Sequence, residues 1–191
     1  MSRLLASFAA AALLAAPALA VGYGFTADYA DQSVPTIGTI DVVVNPELIR
    51  EARAIPRGNP RDGEYIDPRD ADDLIADLRE ELEGELSRSG AYAPMTAGPV
   101  GTLVVTIERA TSSNPAHTKA GQARNLDFRS AGRGGATLVA ELLGPDGSKV
   151  ADYSYRWEES SFDVASSPRI GWLGAERAFD RFSARLAREF E

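Results

Sequence analysis

The chain has 191 residues, with 20 Lys and Arg, 28 Asp and Glu, one His and no Cys. The missing cysteine excludes disulfides, thiolate metal sites, thiol catalysis and lipid attachment through sulfur. A formal charge of -8 argues against nucleic-acid binding, which needs a basic surface to neutralise phosphates.

Residues 1–20 have the layout of a secretory signal peptide. Arg3 is the only charge before Asp28, and Leu4 to Ala16 is apolar. Pro17 then breaks the run, and Ala18 and Ala20 put small residues where a signal peptidase cuts. The apolar run is too short to span a bilayer, which takes about 20 residues. The expected product is therefore periplasmic or secreted, cleaved after Ala20, with no later transmembrane segment. Cleavage removes Arg3 and no acid, which leaves 171 residues and a charge of -9.

Residues 21–36 read as an amino-terminal extension and 37–191 as a single α+β domain. Within the extension, Phe25 to Tyr29 has the character of a short edge strand. Ile37 to Val44 alternates, with Ile40, Val42 and Val44 on one face, and is rich in β-branched residues, which predicts a half-buried strand. Glu47 to Ile55 suggests a helical turn or two. Pro56 to Pro68 is loop-rich. Asp67-Pro68 then predicts a helix start, with Asp67 as N-cap and Pro68 at the first position. Asp70, Asp72 and Asp73 suit the positive end of that helix. Leu74, Ile75, Leu78, Leu82 and Leu86 form its apolar stripe, and Gly90 ends it.

Val100 to Arg109 alternates as a second strand, expected to be central. Gly134 to Leu143 and Val150 to Glu158 flank the turn cluster Gly144-Pro145-Asp146-Gly147-Ser148 and predict an antiparallel hairpin. From about Pro168 a second amphipathic helix is expected to run to the chain end, with Trp172, Ala175, Phe179, Phe182, Leu186 and Phe190 on its apolar side. The order predicts an antiparallel or mixed sheet of about four strands with two amphipathic helices on one face.

Catalytic motifs are sparse. His117 lies in a polar segment, and no Gly-x-Ser-x-Gly turn presents a serine to it. One His without Cys is poor material for zinc. The acids Asp62, Glu64, Asp67, Asp70, Asp72 and Asp73 lack the order of a calcium loop, and helix capping accounts for most of them. Gly132 to Gly135 lacks the Lys-Ser/Thr of a phosphate loop. No catalytic, cofactor or metal residues are assigned. Glu158 and Glu159 beside Trp157 and Tyr155 support one enzymatic alternative, a carboxylate-dependent hydrolase of envelope glycans.

The charges are segregated along the chain. Residues 62–85 carry eleven acids and two bases, whereas residues 117–133 carry Lys119, Arg124, Arg129 and Arg133 against Asp127. Those four cations are the candidate contacts to a partner.

Asn114 to Phe128 followed by Gly134-Gly135-Ala136 and the strand Leu138 to Leu142, with the Tyr153 to Trp157 strand and the helix near Trp172, resemble small uncharacterised proteobacterial envelope proteins. Many of those are lipoproteins with a β-α-β-β-type domain. They are distantly similar to the small domains of the Tol-B, curli-channel and penicillin-binding-protein-activator groups. Such members typically carry a lipobox cysteine, and this sequence has none. The resemblance implies a non-enzymatic accessory that binds an envelope protein or an anionic envelope component. The remaining alternative is a structural subunit of a homo-oligomer, joined through an exposed strand edge.

Overall fold

A computed structural model describes residues 24–30, 33–49, 66–94, 98–111, 134–159 and 172–191. The signal segment, His117, and Lys119, Arg124, Arg129 and Arg133 lie outside the described residues.

The fold is α+β, a five-stranded mixed sheet with two helices. The strands are β1 (Gly24–Tyr29), β2 (Ile37–Val44), β3 (Gly101–Thr111), β4 (Gly135–Leu143) and β5 (Lys149–Glu158), in spatial order β1-β5-β4-β3-β2. The helices are α1 (Pro68–Arg88), between β2 and β3, and α2 (Leu173–Ala187), after β5. β1, from the stretch that precedes the expected domain, supplies the fifth strand by pairing antiparallel with β5. β2 and β3 are parallel, and all other pairs are antiparallel. β3 is interior, as expected of a two-faced alternating strand, but the middle position belongs to β4.

Parallel pairing of β2 with β3 needs a crossover, and α1 supplies it. The helix starts where its sequence says: Pro68 takes the first position and the Asp67 carboxylate accepts the Arg69 N–H at 3.1 Å. It stops at Ser89, and Gly90 follows with φ of 79°, a left-handed conformation that costs glycine little. Ala71, Leu74, Leu78, Leu82 and Leu86 are all buried, and Ile75 flanks them half-buried. The stripe packs on β2 and on α2. The expected helical turn after Asn45 is a short turn over Pro46–Leu48, after which Ile49 bridges to Ile66.

α2 lies on β4 and β5. Its buried face is Ala175, Ala178, Phe179, Phe182, Ser183, Leu186 and Ala187. The helix does not run to the chain end. It closes at Ala187, and Arg188–Phe190 tighten into a 3-10 turn. Its first turn sits close against β4. A Cβ on Gly174 would lie 2.5 Å from the Gly134 carbonyl carbon and 2.9 Å from the Gly135 nitrogen, so only glycine fits there.

One core fills the space between sheet and helices. β2 contributes Ile40, Val42 and Val44, β3 Leu103, Val105 and Ile107, β4 Leu138, Ala140 and Leu142, and β5 Ala151, Tyr153 and Tyr155. The opposite sheet face has no helix over it among the described residues. Registers align Asp41, Val104, Glu141, Asp152 and Asp28 across all five strands on that face.

Candidate functional site

Two charged surfaces of opposite character stand out. The first is the acidic row across the uncovered sheet face. Lys149 sits among its carboxylates, 2.7 Å from Glu141 and 3.0 Å from Asp152. Those bonds hold the Lys149 ammonium above its ordinary pKa, so the row is partly neutralised from within. A hydroxyl pair, Thr26 with Ser154 at 2.5 Å, lies in the next row.

The second surface is an open cleft of about 440 Å³ where α2 meets the β1 edge of the sheet. Its lining is Phe25, Tyr155, Arg181, Ala184, Arg185 and Arg188. Each element delivers its part for a local reason. Phe25 on β1 is opposite Tyr155 on β5, so their side chains share the helix-facing side of the sheet. Phe182 on α2 packs between them, with ring centroids 6.2 Å from Phe25 and 5.9 Å from Tyr155. Arg181, Arg185 and Arg188 follow one another by four and three residues, which places them on one stripe along the helix.

Two of the arginines, Arg181 and Arg185, lie over aromatic faces rather than beside acids. The Arg181 guanidinium lies 4.7 Å from the Trp157 ring centroid, and that of Arg185 lies 5.8 Å from that of Phe25. Among the described residues, none of Arg181, Arg185 and Arg188 forms an ion pair. A guanidinium held over a ring face without an acid partner keeps N–H groups available to a carboxylate or phosphate. The negative end of the α2 dipole favours cations in its last turn, which suits Arg185. Dipole preference alone does not explain the rings beneath Arg181 and Arg185. Burial pushes the Tyr155 hydroxyl up from its ordinary pKa, and the Arg181 charge acts against that shift.

The cleft ends are fixed by neighbouring contacts. At one end Arg177, one turn before Arg181, is paired with Glu159. At the other, the Tyr29 hydroxyl donates to Glu189 at 2.7 Å, which ties the 3-10 turn to β1.

The carboxylates considered for hydrolysis do not form a working pair. Glu158 accepts from Arg156 at 2.9 Å, while Glu159 is buried and held by Arg177. Neither lines the cleft. A third group of acids, Glu81, Glu85 and Asp180, converges between α1 and α2 with oxygens within 4.8 Å of one another. Glu85 is held by both Arg88 nitrogens at 2.6 and 2.8 Å. Burial, then the Asp180 charge, raises the Glu81 pKa, so this group is a site of repulsion in the fold. Of the acids weighed for calcium, Asp67 caps α1 and Asp70 sits in its first turn, while Asp62 and Glu64 lie outside the described residues.

No known protein-family profile matches the chain, and no curated protein matches it. Among solved structures, the chain is similar to a PelC dodecamer from Paraburkholderia phytofirmans carrying the substitution L103M, at 12% identity and a TM-score of 0.42, over 87% of this chain and 96% of that one. A second crystal form of PelC from the same organism gives 11% identity and the same score and coverage. At that distance the likeness carries no functional inference.

No described helix is long and apolar enough to cross a membrane. The arginine stripe escapes a sum along the sequence, because residues 176–191 hold four acids and four arginines. Helical periodicity separates them: Arg177, Arg181, Arg185 and Arg188 share one side.

Proposed function

We propose that the protein is an exported binding or assembly accessory of the bacterial envelope, and that its α2 cleft holds an oxyanion-bearing envelope component. The observation that carries this reading is the set of three arginines in one cleft, two of them over ring faces, with no acid of the described chain bound to them. An acidic protein that leaves such a stripe unneutralised offers its anion site there. The export layout of residues 1–20 and the resemblance to envelope proteins support the compartment. Binding rather than turnover fits the arginine pairing of both Glu158 and Glu159. Glycan turnover lost on Glu159→Gln would overturn that part.

The test is thermal unfolding in sulfate and in phosphate against chloride at matched ionic strength. Sulfate stabilises most proteins through exclusion, so the informative quantity is the difference from an Arg181→Gln/Arg185→Gln variant. The native chain is expected to gain a saturable increment that the variant lacks, following the mass-action law for a ligand that binds only the folded state. Equal shifts in both proteins would reject the cleft as the site. Lys119, Arg124, Arg129 and Arg133 are proposed as further contacts to the same component. Neutralising all four is expected to weaken retention on an anionic resin while leaving the circular dichroism unchanged.

A second reading, a homo-oligomer subunit, is favoured by the sheet edges. β1 and β2 each have one unpaired side among the described strands, and Val43 on β2 is 45% exposed. A persistent monomer by light scattering excludes it.

A further inference from the structure

We propose that the cleft takes a linear polyanion, with one oxyanion on each repeat, rather than an isolated anion. This rests on the oxyanion reading of the cleft and adds the form of the ligand.

A site for one small anion needs its donors to converge. Here they are held apart. Arg181 lies over Trp157, and Arg185 over Phe25. Phe25 is opposite Tyr155, so Trp157, two residues further along β5, is its diagonal neighbour. Diagonal positions on adjacent strands lie about 7–8 Å apart. The helix imposes a matching interval: four residues separate Arg181 from Arg185, a rise of about 6 Å, and Arg188 follows roughly 5 Å further on. The backbone positions of the three arginines therefore step along the helix like a ladder about 10 Å long, with a rung every 5–6 Å. One charge per rung is the pattern of a polymer bearing a carboxylate or phosphate on each unit.

The ladder has ends. Arg177 would be a fourth rung by spacing, but Glu159 already occupies it. Beyond Arg188, Glu189 is engaged by Tyr29, so the nearest acid at that end is bound and does not compete for Arg188. Of the other acids nearby, Asp180 meets Glu81 and Glu85 across the α1 seam, and Glu191, three residues beyond Arg188, forms no ion pair with it. Three free rungs along an open cleft fit three successive units of an extended chain.

One other occupant fits the spacing. Asp73, Asp77 and Glu80 on α1 are exposed and follow one another by four and three residues, as the arginines do. A second copy could present that stripe. The cleft is open and backed by sheet residues Phe25 and Tyr155. A slender chain reaches those residues more readily than a helix about 10 Å across, so the polymer is the better fit.

The experiment is calorimetric titration of the full chain with galacturonate and its oligomers of two, three and six units, and in parallel with phosphate and linear oligophosphates of the same lengths. Affinity is expected to rise about 10-fold or more with each unit up to three, as linked contacts reinforce one another, and to rise little beyond. The better of the two series identifies the oxyanion. Arg188→Gln is expected to move the plateau from three units to two, with circular dichroism unchanged. Its affinity should also depend less steeply on salt, since one ion contact is removed.

Equal affinity for one unit and three overturns the ladder while the oxyanion reading stands. Absence of binding by every probe overturns both. Concentration-dependent assembly in light scattering that Arg185→Glu abolishes, that an Asp77→Arg partner restores, and that the oligomers do not displace would give the stripe to a second copy and overturn the polymer.

Discussion

Arg181 stacks on Trp157, with 4.7 Å between the guanidinium carbon and the ring centroid. The contact joins α2 to β5 beside the cleft. A cation over a ring contributes about 0.5–1 kcal/mol at an exposed position. Trp157→Ala is therefore expected to weaken oxyanion binding several-fold by releasing Arg181, and Trp157→Phe to retain most of it. Titration of both variants with the best oligomer checks this. An undiminished affinity in Trp157→Ala would show that stacking does not organise the site.

Gly174 is the point where α2 meets β4. Any side chain there collides with backbone at Gly134 and Gly135, which cannot rotate away. Gly174→Ala gains helix propensity worth about 1 kcal/mol but meets a clash costing about 1–3 kcal/mol. Net destabilisation is expected, seen as a lower urea midpoint at unchanged slope. An increase would mean that α2 can shift without cost.

The acids between α1 and α2 predict a pH effect of definite sign. Glu81 has its pKa raised above the usual value by burial and by Asp180, Glu85 and Glu80, with Arg88 acting against them. The folded state therefore holds this proton more tightly than the unfolded chain. Its contribution is full at low pH and is lost as pH rises from about 4 through the raised pKa. Glu81→Gln should stabilise the protein at pH 7, on the order of 0.5 kcal/mol given its exposure, and give no gain near pH 3. Melting curves at the two pH values settle it.

At the alkaline end the tyrosines take over. Burial pushes the Tyr153 hydroxyl up to about 12. Tyr29 is also raised, by burial first and then by its bond to Glu189. Both hold protons in the folded state that the unfolded chain releases above about pH 10. Stability should be steady to pH 10 and fall between 10 and 12. Tyr153→Phe should flatten that fall, by about 1 kcal/mol at pH 11. A decline of unchanged steepness in the variant would place its origin elsewhere.

Much of the fold is legible in the sequence because local signals and tertiary packing agree. Asp67-Pro68 and Gly90 bracket α1, and the alternation in Ile37–Val44 marks β2. The hairpin around Gly147, with φ of 80°, follows from its turn residues. The parallel pairing of β2 with β3 is not legible, since alternation does not reveal a partner's direction. β1 is faint because a short edge strand with mixed burial has weak patterning. The end of α2 at Ala187 is missed because Phe190 keeps the apolar period going through the 3-10 turn. The cleft is hidden for a related reason. Its arginines look like the solvated side of an amphipathic helix until β1 and β5 bring Phe25 and Trp157 beneath them.

The central claim is that Arg181, Arg185 and Arg188 act together as one oxyanion site. The most direct measurement is the side-chain Nε–Hε NMR spectrum of the arginines during titration with a three-unit oligomer. The account predicts that these three resonances shift together with a single saturation curve and that Arg177 stays with Glu159. Shifts spread over all arginines without saturation, or confined to Arg124, Arg129 and Arg133, would contradict it.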